Sequence, residues 1–197
     1  MIRLLRMPAA ILLCASAAAA IDLDITPEDV DRALAIGRRG DPAFHTRYVR
    51  EIDTTTDAIT VRQVEVVTAY RRLVQHAEAR RRIGDYVVSR ADVEPILREW
   101  RSRVAIVTTV RFHPQNLLTS PPPIDTTVRD PILDRDVPPL DVALTVVTNP
   151  GTSRPILGAT IATIFDAGLL ANLDASVVVS LRGKELARTK IDFRTVE

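Results

Sequence analysis

The chain reads as an α+β protein in which N-terminal helices pack on a C-terminal antiparallel β-sheet or β-sandwich-like layer. Three observations predict this. Helix-start patterns recur through the first hundred residues, the apolar period changes from helical to two after residue 103, and a proline-rich stretch divides the later strands.

The opening "MIRLLRMPAAILLCASAAAAID" has the order of an export signal. Arg3 and Arg6 supply a positive start, Ala9 to Ala15 form an apolar run, and Ala18-Ala19-Ala20 fits the small-x-small pattern that signal peptidase reads. Cleavage is expected near Ala20, delivering the mature chain to the periplasm or the exterior. The run is much shorter than the ~20 residues of a membrane-spanning helix, so no transmembrane anchor is expected. Cys14 is the only cysteine. Leu12 and Leu13 before it are too bulky for a lipid-attachment site, so it is expected to leave with the signal. A cysteine-free mature chain has no disulfide and no thiolate chemistry. Residues 21–197 are expected to fold as one domain, mainly helical over 21–102 and mainly stranded over 103–197.

Three stretches share a helix-start grammar. In "ITPEDV", Thr26 can cap, Pro27 takes the first helical position, Asp29 reaches back, and Ile25 can staple to Val30. "ITVRQV" offers Thr60, Gln63, and Ile59 against Val64. "VSRADV" offers Ser89, Asp92, and Val88 against Val93, with Pro95 favouring a start nearer Asp92. The helices expected are Pro27 to Gly37, Pro42 to Glu51 with Asp41 as cap, Val61 to Ile83 ending at Gly84, and a fourth ending near Ser102. On the third, Val66, Val67, Tyr70, Leu73, Val74 and Ala77 recur at helical spacing as a buried arc. Trp100 is expected to anchor a helix face.

The strand-forming runs are "VAIVTTVRF", "LDVALTVVT", "ATIATIF", "ASVVVSL" and "ELARTKIDF". The last two face each other across "RGKE". An odd-length loop there pairs Val179 with Thr189 and Val177 with Ile191, keeping Arg188 and Lys190 away from the valines. Between the first and second runs, residues 113–139 hold seven of the thirteen prolines. This segment is expected to be a loop, with short pieces around Ile124 to Val128 able to pair at a sheet edge.

Candidate sites are few. His76 precedes Glu78 by two, which on a helix turns the side chains to nearly opposite faces, and Arg72 and Arg80 flank it at one turn. It is not expected to bind metal. Phe44 and Tyr48, four apart, share a face of the second helix, and His45 is expected to turn away from that pair toward the side of Val49. His113 stands where a strand enters the proline-rich segment, beside Gln115 and Asn116. His45 and His113 are the candidates for an acid–base pair or a shared metal. Asp125, Asp130, Asp134, Asp136 and Asp141 match no calcium-loop spacing, and Arg129 and Arg135 offset them. Arg80, Arg81 and Arg82 give the third helix a basic end that suits its macrodipole and could touch anionic envelope polymers, with Asn116 as a further contact residue.

Loss of Arg3 and Arg6 from 26 basic side chains leaves 24 against 25 acidic ones. That balance gives no basic footprint for nucleic acid. The sequence shows no phosphate loop, nucleophile elbow, paired-histidine zinc helix or dinucleotide fingerprint, and no cofactor is expected. The leading expectation is an exported soluble protein of the bacterial cell envelope that is non-catalytic and acts by binding or by contact with another envelope protein or an anionic polymer. The alternative is a secreted hydrolase or metal-dependent enzyme built on His45 and His113.

Overall fold

The computed structural model describes residue 21 and residues 24–56, 58–113, 115, 117–149 and 155–196. The expected signal, its cleavage point and Cys14 lie outside the described residues.

The first helix, α1 (Pro27–Arg39), starts as the sequence indicates. Thr26 caps it, accepting from the Asp29 N–H, and Asp29 returns the bond to the Thr26 backbone. It runs past the expected stop at Gly37 to Gly40, whose left-handed φ of +66° ends it. Gly37 has a different use. A Cβ there would lie 2.5 Å from both the Ala77 Cβ and the Val74 carbonyl oxygen, so the glycine lets α1 lie directly on α3 (Ala69–Arg82).

The second helix, α2 (Pro42–Thr46), is shorter than expected and gives way to strand β1 (Val49–Thr55). The front of the expected long helix is strand β2 (Ile59–Val67), and α3 begins only after it, capped by Thr68 rather than Thr60. Ile59, Val61, Val64 and Val66 are buried along β2, but a bulge around Arg62 breaks their period-two spacing. That slip, joined to the true helix behind it, imitates one long helical arc. The arc holds only from Tyr70 onward, where Tyr70, Leu73, Val74 and Ala77 are buried on α3. Helix α4 (Arg90–Trp100) has the Ser89–Asp92 capping box and starts at Arg90 rather than near Asp92, with Pro95 inside it. Ala91, whose carbonyl loses its partner to that proline, is exposed to water.

Among the described residues that follow, the elements are β3 (Arg103–Phe112), β4 (Ile124–Asp130), β5 (Arg135–Val137), β6 (Asp141–Thr148), β7 (Ile156–Asp166), the helical turn α5 (Ala167–Leu170), β8 (Asp174–Leu181), β9 (Lys184–Asp192) and a closing 3-10 turn (Phe193–Thr195). They form two antiparallel sheets. The larger has the order β1-β2-β3-β7-β6 and the smaller β5-β4-β8-β9. The expected loop over 113–139 therefore contains two strands, and β4 is an interior strand rather than an edge piece. Its prolines explain the difference: Pro123 and Pro131 bracket β4 without entering it, so its ladder keeps every N–H.

The two sheets face each other. Val104, Ile106, Val110 and Phe112 of β3 and Ile161 and Phe165 of β7 share a core with Val128, Val177, Val179 and Ile191 of the smaller sheet. The Thr108 and Thr126 hydroxyls meet across the gap at 2.9 Å. On its other face the larger sheet carries a second cluster, where Ala105, Val107 and Ile164 meet Trp100 and Ile96 of α4. The larger sheet thus lies between the smaller sheet and α4. The Arg72 guanidinium stacks 4.4 Å from the Trp100 ring and fixes α3 to this anchor.

The β8–β9 hairpin corrects the expected register. Arg182 and Gly183, at φ +51° and +77°, make a two-residue turn, and a bulge beside Val179 absorbs the odd residue. Val179 faces Ala187 and Val177 faces Thr189. Arg188 and Lys190 stand opposite Val178 and Ser176, on the face away from the buried Val177 and Val179, two residues from the expected alignment.

Candidate functional site

His45 sits on α2 with its Nε2 at 2.7 Å from Glu78 Oε1 on α3. Both side chains are mostly covered, and the His45 ring meets Phe44 edge-on at 5.4 Å. Beside them Arg71, only 3 % exposed, donates to the Val66 carbonyl at 3.1 Å and lies 2.7 Å from Glu65 Oε1. Its guanidinium stacks 4.7 Å from the Tyr48 ring, and Gln75 donates to Glu65 at 3.2 Å. Burial lowers the Arg71 pKa, while Glu65, Tyr48 and Glu78 pull it back up. The groups of this ionic cluster are turned toward one another. Their effect is to pin α2, the start of β1, β2 and α3 together.

His113 is elsewhere. Its N–H donates to the Ala58 carbonyl, whereas Tyr48, just after His45, accepts from the Val66 N–H. Ala58 and Val66 lie at the two ends of β2, about 25 Å apart at the usual rise per strand residue. Two histidines sharing a metal would each sit ~2 Å from it. The structure does not bring His45 and His113 together. Among the described residues no group of three or more His, Cys, Asp or Glu side chains is placed to hold a metal ion.

The basic end of α3 is partly occupied. Arg80 pairs with Asp85, and Arg81 lies against Gly40. The Arg80 and Arg81 carbonyls accept from Ile83, Gly84 and Asp85, so the end is closed locally. Arg82 is exposed. Asn116 lies outside the described residues.

A different feature stands out at the sheet edges. An edge strand offers a row of backbone donors and acceptors to any passing strand, and proteins blunt such edges with charge, bulges or brevity. Among the described residues the two sheets have four edges, and three of them are blunted. Strand β1 carries Arg50, Glu51 and Asp53 and breaks its ladder at a bulge, where Asp53 has φ +48° and pairs with Arg62 at 2.6 Å. Strand β9 carries Lys184, Glu185, Arg188 and Lys190, and β5 has three residues. Strand β6 lacks these devices over most of its length, its ladder being irregular only between Val147 and Thr148. It is eight residues long, and its one charge, Asp141, is at its first position.

The side chains of β6 make the contrast sharper. One row crosses the inner face of the larger sheet through Val64, Thr108, Ile161 and Leu144. The first three are 0 %, 0 % and 1 % exposed, whereas Leu144 is 49 % exposed. The next row, Val66, Ile106, Thr163 and Val142, ends in the same way, with Val142 at 55 %. Val146 is also uncovered beside the buried Ala159. The apolar inner face therefore continues past the reach of the smaller sheet and stops at an open edge. On the other face Val147 is exposed as well.

The sequence identifies β6 as a strand but not as an edge. A run this rich in valine and leucine, with a continuous apolar face through Val142, Leu144 and Val146, ordinarily marks a strand with that face covered. That mismatch, a buried-type sequence in an exposed place, is the signal that a single chain leaves unread. No helix among the described residues is long and apolar enough to cross a membrane. Comparison with family models, with curated proteins and with solved structures gave no match, so the geometry of this edge stands without a relative to interpret it.

Proposed function

We propose that the chain is an exported, non-catalytic protein of the bacterial cell envelope that acts by contact, and that β6 is its contact strand. The export half of the reading rests on the signal-like opening residues. The contact half rests on the row that ends at Leu144. An incoming strand would pair with the outer N–H and C=O groups of β6, and its side chains would cover Val142, Leu144 and Val146. Hydrogen bonding through the backbone supplies orientation, and the apolar row supplies the burial that makes pairing favourable.

In-cell photo-crosslinking tests it. A photoreactive residue replaces Thr145, which is exposed on β6 but lies on the face opposite the Leu144 row. A second carries it at Leu169, equally exposed on α5. The reading expects one discrete adduct from position 145, none from 169, and loss of the first when Leu144→Lys is added. If position 145 yields no adduct, β6 is not a contact strand.

A further inference from the structure

We infer that the strand completing β6 is β6 of a second copy, paired antiparallel about a two-fold axis through Leu144. This inference rests on the reading of β6 as the contact strand and names its partner.

Symmetry restricts how two identical edges can meet. Antiparallel strands from two copies are related by a two-fold axis normal to the sheet, which keeps inner face beside inner face. Any such register places residues of like parity opposite each other. Along β6 the inner-face residues Val142, Leu144 and Val146 are symmetric about Leu144. The register centred there sets Leu144 against the partner copy's Leu144, and each Val142 against a Val146. These three exposed apolar side chains then find an apolar neighbour across the seam, while Leu140, at the end of the ladder, faces a hydroxyl, that of Thr148. Asp141 faces Val147, so no like charges are opposed. The ladder reaches from Leu140 to Thr148 without meeting a proline.

Neighbouring registers are poorer. Centring on Ala143 also sets Val142 against Leu144 and Leu140 against Val146, but its ladder stops at Leu140, because Pro139 and Pro138 opposite Val147 and Thr148 have no N–H to give. Centring on Thr145 puts Val142 against the hydroxyl-bearing Thr148. The remaining edges of a second copy are also poor partners. The β1 bulge and its charges interrupt a ladder, β5 is too short, and β9 would bring lysine, arginine and glutamate against an uncharged apolar strand. The self-paired edge yields a continuous ten-stranded sheet from two five-stranded ones, with the exposed inner row enclosed at its middle.

Sedimentation of the full chain, from about 1 µM to about 200 µM, covers the range in which an interface of this modest size populates both states. A reversible monomer–dimer equilibrium is expected. Leu144→Lys places two ammonium groups opposite each other at the axis and is expected to weaken the dimer roughly 100-fold, with an unchanged circular dichroism spectrum. Val142→Lys repeats the test should the first variant fold poorly. The register is read by cysteine pairs in a Cys14→Ser background. Leu144→Cys is expected to form a disulfide with itself. Val142→Cys is expected to cross-link to Val146→Cys and not to itself, because two copies of residue 142 would stand about 14 Å apart.

A chain that stays monomeric throughout, a dimer indifferent to both lysines, or a 142–142 cross-link overturns the inference. The in-cell adduct separates this failure from the wider one. A monomer whose position 145 captures another protein ends self-pairing and leaves β6 a contact strand. A monomer with no adduct at all ends both.

Discussion

Strands β1 and β6 close the two ends of one five-stranded sheet, and they are built on opposite principles. β1 is charged, bulged at Asp53, and tied at its start to the ionic cluster through Tyr48, whose carbonyl accepts from Val66 and whose ring lies under Arg71. β6 is uncharged beyond Asp141, regular over most of its length, and apolar along its inner face through Val142, Leu144 and Val146. The lesson is one of design against association. A sheet needs only one unguarded edge to acquire a directed partner, and the guarded edge keeps that association from propagating into a fibre.

The contrast can be broken most severely at Arg71. Arg71→Ala leaves Glu65 and Glu78 without their buried cation and is expected to cost about 3 kcal/mol. Denaturant unfolding measures the loss. Amide exchange should locate the added opening at β1 and α2, with β6 unaffected.

A second change inverts the comparison. Arg50→Val with Glu51→Val removes two of the three charges of β1, leaving Asp53, and is expected to give the sheet a second adhesive end. Sedimentation should then show species larger than a dimer at about 100 µM, with the residual Asp53 bulge limiting their length. If the double variant behaves as the parent, charge is not what protects β1.

Smaller effects sharpen the picture at the other guarded edge. Arg182 holds φ +51° in the turn that feeds β9, a conformation that suits asparagine or glycine better. Arg182→Asn is expected to raise stability by about 0.5–1 kcal/mol in thermal or denaturant unfolding, without altering association.

The smallest effect belongs to the helix caps. Hydrogen bonds from the Thr26 side chain and backbone hold the Asp29 carboxyl below its ordinary range, and those from the Ser89 backbone and side chain do the same for Asp92. A carboxyl with a depressed folded pKa contributes stability that is complete above its unfolded value of about 4 and is lost as pH falls through the folded value. The first turns of α1 and α4 should therefore fray below about pH 4, read by helical circular dichroism. Asp92→Asn should remove the α4 part of that acid transition.

The sequence exposes some parts of this molecule and conceals others for identifiable reasons. The caps of α1 and α4 are short-range chemistry, so Thr26–Asp29 and Ser89–Asp92 announce themselves. The β2–α3 junction is hidden because the bulge at Arg62 shifts a period-two pattern into apparent helical phase. Its available signals are the β-branched run from Ile59 to Val67 and the capping Thr68 directly after it. β1 is hidden because a guarded edge strand is charged and short, which resembles a loop. β4 is obscured by the prolines around it. Of the candidate residues, the Phe44–Tyr48 pair follows from spacing, but the same spacing turns His45 away from it, whereas the His45 ring meets Phe44 edge-on; Glu78 lies 33 positions away and only the fold supplies it. The exposure of β6 depends on where the smaller sheet ends, a fact no local pattern contains.

Hydrogen–deuterium exchange on the two edge strands, at low and high protein concentration, tests the central claim most directly. An unguarded pairing edge predicts that outward amides of β6 exchange quickly in dilute solution and slow markedly when concentrated, while those of β1 exchange alike at both. Concentration-independent exchange in β6, or slowing at β1 in its place, would contradict the account.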